Sequence, residues 1–316
     1  LTLNTVILGS GHLLDVWEAE ADNQPAYQCT RCGAIEVSAA GCASCRGNDF
    51  TRSLLPKVLH GHYEVSRMIG GGGMGVVYLA RDIELGRPVV LKSVAMASAE
   101  ELSFLRDEAR LMATLSHPNI ATIYRYESYQ GTPILVCEYL EHGTLADVLR
   151  DGYLDQTEIF TITDQVLKAL AYLHNRGIIH GDIKPSNIGF DAEETAKLLD
   201  FGLAKPPDTN ELHAANGAVS GGTYAYMSPE KIHNRNVDQR ADLWALAVTL
   251  FEAIHGTNPF LGADLPSTMA RLGNPAGTLN GLEKEVSAFF HDALNHDLAK
   301  RPQSAEEFAR LMRSSL

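Results

Sequence analysis

Apolar residues along the chain fall into short runs that predict strands. The main runs before residue 140 are 63–69, 76–79, 89–92 and 134–140. Runs of this length, bounded by glycine or polar residues, are typical of buried strands. A shorter run at 6–8 predicts one more strand within an N-terminal tail, residues 1–25.

Two longer segments carry the spacing of amphipathic helices. In 98–115, Ser98 and Glu101 form a capping box, and an apolar face follows at Leu102, Leu105, Ala109 and Met112. The second segment, 158–175, is amphipathic and is followed by Gly177, a helix stop signal. The pattern therefore predicts strands interrupted by one helix, and then a helical region.

Length and charge narrow the possible classes of protein. A chain of 316 residues accommodates one domain of about 250 residues plus a small module. With 26 basic and 39 acidic residues, the net charge of −13 argues against a nucleic-acid or anionic-membrane binder. The chain has no apolar run of roughly 18 residues, and residues 1–20 lack the features of a signal peptide, so we expect a cytoplasmic location.

Four of the five cysteines stand in two C-x-x-C pairs, Cys29/Cys32 and Cys42/Cys45. Each pair can direct two thiolates to one ion. The gap between the pairs is shorter than the roughly 15–20 residues of the commonest four-cysteine fingers, but the pattern still resembles the small zinc ribbons. Free thiols, disulfides and an iron site are the alternatives. A module this small cannot bury enough apolar surface to fold alone, so we expect Zn²⁺ to replace a core. Cysteines that bind a metal rather than form disulfides are typical of proteins in a reducing compartment.

The stretch 179–187 carries the candidate chemistry. Asp182 is followed by Lys184 and then by Asn187, and a second acid comes at Asp200, in Asp200-Phe201-Gly202. Phosphoryl transfer needs a carboxylate for a hydroxyl, a cation for phosphate charge and oxygen ligands for Mg²⁺. The order of these residues therefore indicates a phosphotransferase.

A glycine-rich loop precedes this stretch. Gly70, Gly72 and Gly75 lie between two predicted strands, where backbone N–H groups can approach phosphates without obstruction by a Cβ. Lys92 ends the next strand, and Glu108 lies in the middle of the first predicted helix. We expect the two to pair, because Glu108 would then hold Lys92 against the α- and β-phosphates.

From about residue 62 onward the chain resembles a eukaryotic-type Ser/Thr protein kinase of the bacterial kind. The residues that carry the resemblance are Gly70/Gly72/Gly75, Lys92, Glu108, His180/Asp182, Asn187, Asp200-Phe201-Gly202, Gly222-Thr223, Ser228-Pro229-Glu230, Asp242-Leu243-Trp244 and Arg301. It implies an α+β, bilobal fold, with a small β-rich lobe at 62–138 and a large helical lobe at 141–316. A zinc ribbon at 26–52 and a linker at 53–61 precede it, an arrangement that resembles bacterial kinases with a rubredoxin-like module.

The resemblance implies that the γ-phosphoryl group of ATP passes, with Mg²⁺ or Mn²⁺, to Ser/Thr hydroxyls of protein substrates and of the chain itself. Asp182 would orient the hydroxyl, Lys184 would stabilise the phosphoryl group, and Asn187 and Asp200 would hold the metal. The implied nucleotide-binding residues are Gly70, Gly72, Gly75, Val77, Val90, Lys92, Glu138, Leu140, Asn187 and Asp200. The zinc ribbon is expected to contact the small lobe or a partner protein.

Three positions depart from the family pattern. Gly181 stands where many such kinases have an arginine that captures a loop phosphate, so the chain is of the non-RD type. Val90 replaces a small alanine in the roof over adenine. Gly189 replaces a larger apolar residue in the floor. A bulkier roof over an empty floor predicts that the adenine ring is shifted downward rather than blocked.

Two other functions fit parts of the sequence. His180-Gly181-Asp182 with Asn187 also resembles small-molecule phosphotransferases, but Lys184 and Ser228-Pro229-Glu230 favour a protein substrate. A pseudokinase scaffold, with the zinc ribbon recruiting a partner, is disfavoured because each phosphate-contacting and metal-contacting residue type is in place.

Overall fold

The structure of the chain is a computed structural model that describes residues 25–72, 75–93, 106, 109–152, 154–200, 221–233, 235, 237–275, 279 and 284–315. The chain divides into two compact units. The first unit comprises residues 1–69 and 78–88, and the second comprises residues 70–77 and 89–316. The predicted strand at 6–8 lies outside the described residues.

The first unit is built from short antiparallel strands. These are β1 (Tyr27–Cys29), β2 (Ile35–Glu36), β3 (Phe50–Arg52), β4 (Val58–Leu59) and parts of β5 (Tyr63–Gly72) and β6 (Gly75–Asp82). One sheet has the order β2-β1-β3, and β4, β5 and β6 are neighbours in that order. Leu55, Leu59, Val65 and Tyr78 are buried at its core.

The second unit begins with a sheet in the order β6-β7-β9-β8, formed with β7 (Pro88–Ser93), β8 (Ile123–Tyr129) and β9 (Thr132–Glu138). Its helices are α1 (Leu145–Asp151), α2 (Gln156–His174), α3 (Gly221–Tyr224), α4 (Pro229–Ile232), α5 (Arg240–His255), α6 (Leu265–Leu272), α7 (Lys284–Ala293) and α8 (Ala305–Ser315). A small hairpin, β10 (Ile188–Phe190) with β11 (Ala196–Leu198), lies between α2 and α3 in the chain. The expected α+β fold, rich in sheet first and helical afterwards, is thus confirmed.

Local sequence explains where the first helices begin. Thr144 caps α1 and Asp155 caps α2, and in each case a capping box closes with an acid three residues on, Asp147 or Glu158. The predicted helix at 158–175 agrees with α2. Of the predicted helix at 98–115, residues 109–113 are helical, and most of the rest lies outside the described residues.

Helix α5 lies at the centre of the helical region. It packs against α2 and α7, and Trp244, which is fully buried, stacks on Phe260 with a centroid distance of 5.6 Å. Burial of a large aromatic side chain contributes a few kcal/mol, which makes α5 a stable support for the loops around it. Among the helices in the described residues, none is long and apolar enough to cross a membrane.

Candidate active site

Asp182, Lys184 and Asn187 form one cluster in the second unit. Lys184 Nζ lies 2.8 Å from Oδ2 of Asp182. Asn187 Nδ2 donates to the same oxygen and to the main-chain carbonyl of Asp182, both at 2.8 Å. A turn of 3₁₀ helix, Pro185–Asn187, brings the amide back to the acid. An acid, a cation and an amide are thus held together.

The buried carboxylate of Asp242 fixes the backbone just before this acid. Its Oδ2 accepts from the N–H of His180 at 2.9 Å, and its Oδ1 accepts from the N–H of Gly181 at 2.8 Å. His174 Nε2 lies 2.9 Å from Oδ2. Burial opposes the charge of Asp242, but these hydrogen bonds and the neighbouring histidines hold its pKa below the usual range.

His180 is fully buried, and burial lowers its pKa although Asp242 opposes the shift. Its Nδ1 accepts from the N–H of Asp182 at 3.3 Å, and its Nε2 lies 3.0 Å from the carbonyl of Leu199. This pattern requires a neutral imidazole that carries its proton on Nε2. The ring therefore links the segment of Asp182 to the segment that leads to Asp200.

Lys92 and Asp200 are brought into direct contact. Lys92 lies on β7 opposite Leu135 of β9, and its Nζ lies 2.6 Å from Oδ1 of Asp200. Glu108, the expected partner of Lys92, lies outside the described residues, as do Phe201 and Gly202. The structure thus joins the lysine to the second acid and leaves the predicted Lys92–Glu108 pair untested.

The donors near Asp182 and Asp200 suit a magnesium ion. The nitrogen of the Asn187 amide is engaged by Asp182, which leaves its oxygen as the group able to ligate a cation. Mg²⁺ prefers oxygen ligands, usually one or two from the protein with the rest from water and phosphate. Asn187 and Asp200 therefore match the donor set, and each is supplied by a segment hydrogen-bonded to His180.

The glycine-rich loop is connected to the strand of Lys92. Gly70 and Gly72 end β5, and Gly75 opens β6. In the adjoining pair of strands, Ser93 Oγ accepts from the N–H of Val76 at 2.9 Å and donates to its carbonyl at 3.0 Å. The end of the loop is therefore held beside the residue that follows Lys92.

Val90 and Cys137 are opposed across β7 and β9, and Val89 is opposed to Glu138. Cys137, the fifth cysteine, is half-buried, and burial together with the charge of Asp200 raises its pKa to about 12. At ordinary pH it is a neutral thiol and a small apolar filler, rather than a nucleophile.

The expectation of an empty floor at Gly189 is wrong. A Cβ placed on Gly189 would lie 2.5 Å from Cδ1 of Leu140 and 3.0 Å from Cδ1 of Leu199. Side chains from two neighbouring segments thus fill the space that a larger residue at 189 would take. The expected lowering of the adenine ring thereby loses one of its two premises, and the position of the ring stays a prediction.

Lys197 forms an ion-pair network that motif reading missed. Its Nζ lies 2.5 Å from Oε1 of Glu138 and 3.3 Å from Oδ2 of Asp191. The other oxygen of Glu138 accepts from the N–H of Thr122 at 3.0 Å. Burial opposes the charge of Lys197, but the two acids raise its pKa. The sequence signal for this network was a lysine between two apolar residues, Ala196-Lys197-Leu198. Such a pattern is common in half-buried strands and does not by itself indicate an ion pair.

The four cysteines of the first unit form a separate cluster. Their sulfurs all lie within 4.8 Å of one another, with Cys29 to Cys45 at 3.6 Å and Cys32 to Cys42 at 3.5 Å. Zn–S bonds of about 2.3 Å in a tetrahedron imply sulfurs roughly 3.8 Å apart, whereas a disulfide needs about 2 Å. The cluster therefore fits a four-thiolate metal site and excludes disulfides.

The first cysteine turn is hydrogen-bonded to β5. The carbonyl of Gly33 accepts from the N–H of Met68 at 2.9 Å, and Ala34 forms an antiparallel bridge with Arg67. Gly33 has a φ of +76°, and a Cβ there would lie 2.7 Å from the carbonyl oxygen of Met68. Only glycine satisfies both the left-handed turn and this close approach.

Comparison with known proteins places most of the chain in one family. A family model described as "Protein kinase domain" matches residues 63–311. Serine/threonine-protein kinase PknB of Mycobacterium leprae is 34% identical over 275 residues, covering 83% of this chain and 43% of the relative. Serine/threonine-protein kinase PrkC of Bacillus subtilis is 36% identical over 213 residues, covering 66% of this chain and 33% of the relative. The chain spans less than half the length of these curated relatives.

Solved structures agree with this comparison. A double mutant of the PknI kinase domain of Mycobacterium tuberculosis has a TM-score of 0.63 and 26% identity, covering 83% of this chain and 99% of that chain. Rad53, solved with AMP-PNP, has a TM-score of 0.66 at 23% identity, covering 79% and 65%, and shows likeness of fold alone.

Proposed function

The chain belongs to the protein kinase domain family, and from that premise we propose that it transfers the γ-phosphoryl group of Mg-ATP to Ser/Thr hydroxyls of proteins, itself included. The observation that carries the proposal is the cluster of Asp182, Lys184 and Asn187 beside the Lys92–Asp200 pair. These residue types are the ones that position and charge-stabilise a transferring phosphoryl group.

Asp182 acts on the acceptor hydroxyl. Lys184 and Asn187 both engage its Oδ2, which leaves Oδ1 to accept the hydroxyl proton as the new O–P bond forms. Lys184 then stabilises the phosphoryl oxygens, and Lys92 holds the phosphates that remain on ADP as the leaving group. Mg²⁺, when held by Asn187 and Asp200, neutralises phosphate charge.

The nucleotide base is assigned to the space beside Val77, Val90, Glu138 and Leu140. The backbone that follows Glu138 supplies the polar contacts, and the ion pair with Lys197 keeps the end of β9 in place. Gly70, Gly72 and Gly75 cover the phosphates with backbone N–H groups.

Serine and threonine as acceptors are supported by the names of the relatives and by Lys184 two residues after the acid. The peptide would lie along Gly222, Thr223 and the Ser228–Glu230 segment. Protein substrates are therefore the proposed partners.

For the cysteine cluster we infer one structural Zn²⁺ bound by Cys29, Cys32, Cys42 and Cys45. Four protein thiolates close the coordination sphere, which distinguishes structural from catalytic zinc. Binding of this ion requires four reduced cysteines, which supports action in a reducing compartment such as the cytoplasm.

Intact-mass spectrometry with Mg-ATP tests the enzymatic proposal. Wild type should gain increments of one phosphoryl group, and Asp182→Asn and Asp200→Ala should not. Supplying ³²P-labelled ATP with a protein and an aminoglycoside then identifies the acceptor. Label in the sugar, or no turnover by wild type with any acceptor, would overturn the assignment.

A further inference from the structure

The peptide bond between Gly181 and Asp182 is held by groups from several elements. The N–H of Gly181 donates to Asp242 on α5, and the ammonium of Lys231 on α4 donates to the carbonyl of Gly181. The N–H on the other side of that peptide, which belongs to Asp182, donates to His180 Nδ1. Each polar group of this short backbone stretch therefore has a defined partner.

The backbone at Lys231 is held in place by a neighbouring ion pair. The residue before it, Glu230, forms a bidentate pair with Arg301 at 2.8 and 2.9 Å, and their side chains are 6% and 0% exposed. Burial opposes the charge of Glu230, but Arg301 lowers its pKa below the usual range. A buried, bidentate pair restricts the backbone around it, so the side chain of Lys231 starts from a restrained position.

The contact acts on Asp182 through the geometry of the peptide. The carbonyl of Gly181 and the N–H of Asp182 belong to one planar group, so a cation that fixes the carbonyl also fixes the direction in which the chain enters Asp182. Gly181 has a φ of +79° and no side chain, and a Cβ there would be 3.7 Å from Lys231 Nζ. The cation next to position 181 thus comes from another element, 50 residues along the chain.

We propose that Lys231 is a positioning residue for Asp182: it links the Ser228–Glu230 segment to the segment before the acid and orients the Gly181–Asp182 peptide. The inference rests on the proposed kinase function and extends it. A lysine at this place makes the alignment of the acid depend on the position of α4, the element next to the proposed peptide site.

Two variants test the proposal. Lys231→Met keeps much of the apolar stem and removes the ammonium, while Lys231→Arg keeps a cation. Loss of one charge-assisted hydrogen bond corresponds to a fall in kcat of about tenfold or more. The KM for ATP should stay within about twofold, because the nucleotide contacts are elsewhere. Lys231→Arg should recover most of kcat. Lys168→Met, which removes a largely exposed lysine on α2, is the matched control and should behave like wild type.

Hydrogen exchange provides a second readout that does not depend on turnover. The amides of residues 178–187 in the full chain should exchange faster in Lys231→Met than in wild type, with Lys231→Arg close to wild type. A Lys231→Met protein with unchanged kcat and unchanged exchange would overturn the proposal, as would equal loss in the Met and Arg variants. An inactive wild type would refute the kinase function alone, since exchange would still report whether Lys231 orders the segment.

Discussion

The ammonium of Lys92 lies 2.6 Å from Oδ1 of Asp200, which joins the proposed phosphate-binding lysine to a proposed metal ligand. The pair spans two elements that are distant in sequence, β7 and the segment after β11. Both side chains keep access to solvent, 17% for Lys92 and 49% for Asp200, so each remains available to a ligand.

Replacing Lys92 with methionine should lower kcat/KM for ATP by at least about a hundredfold, because a charge that stabilises the transition state is lost. The melting temperature should change little, since the side chain is not part of the apolar core. Initial rates and differential scanning fluorimetry measure both. Lys300→Met, at an exposed position, serves as the control. Turnover near the wild-type rate in Lys92→Met would remove the role assigned to this lysine.

Gly189→Leu should weaken nucleotide binding. The new side chain would overlap Leu140 and Leu199, and overpacking of this kind typically costs about 1–3 kcal/mol. Calorimetric titration with a non-hydrolysable ATP analogue gives the loss in affinity. Gly152→Leu is the control, because a Cβ there meets no atom within 4 Å. Adding Leu140→Ala should restore part of the affinity, and failure to do so would show that Leu140 does not fill the floor.

Cys32→Ser should release the metal and loosen residues 27–52. The apolar cluster around the cysteines contains, besides the cysteines themselves, only Ala34 and Phe50 among the described residues. We therefore expect the ion to supply much of the folding free energy of this segment, and loss of one thiolate should remove much of it. Elemental analysis should find about one zinc per wild-type chain and much less in the variant. Cys137→Ser removes a cysteine outside the cluster and should keep the full metal content. Wild-type protein purified without chelator and free of zinc and iron would contradict the site.

Gly33→Ala should destabilise the first unit more than Gly61→Ala. Both glycines have positive φ, +76° and +71°, but only Gly33 would place a Cβ against Met68, while Gly61 faces no atom within 4 Å. Backbone strain of about 1–2 kcal/mol is common to both variants, so the difference between them measures the contact with β5. Urea denaturation, followed by amide hydrogen exchange in residues 27–69, measures this difference in stability. Equal losses would mean that the close approach to Met68 carries no energy.

Acidification should destabilise the wild type through His180. Its folded-state pKa lies below the unfolded value of about 6.5, so the unfolded state binds more protons as pH falls. Its contribution is complete above that unfolded value and decreases by at most about 1.4 kcal/mol per pH unit down to the folded pKa. Between pH 7.5 and pH 5, the melting temperature should therefore fall more for wild type than for His180→Gln. An equal fall in melting temperature for the two proteins would contradict a buried neutral imidazole.

Local pattern predicted much of the fold. Runs of apolar residues predicted β5, β6, β7 and β9, because the side chains that a strand buries are close together in the sequence. Motif spacing likewise grouped Asp182, Lys184 and Asn187, which lie within six positions and which the structure brings into contact through a single turn. The cysteine cluster could be predicted for the same reason.

Contacts between distant segments could not be predicted in this way. The filling of the floor at Gly189 depends on the side-chain conformations of Leu140 and Leu199. The contact of Lys231 with Gly181 and that of Lys197 with Glu138 depend on where separate elements are placed by their own packing. A lysine at either position looks like an ordinary surface residue until the fold is known.

The first unit has a consequence for any attempt to divide or transplant this protein. It consists of two stretches, 1–69 and 78–88. Tyr78 from the second stretch is 1% exposed, and Ser53 and the backbone of Leu54 from the first stretch lie next to its phenol. A cut between the cysteine turns and β5 would expose this ring and remove its partners. The segment with the four cysteines therefore cannot be separated from the rest of the first unit. A chimaera that takes this segment must also include residues 78–88, and a fragment that omits it lacks part of the core of the first unit.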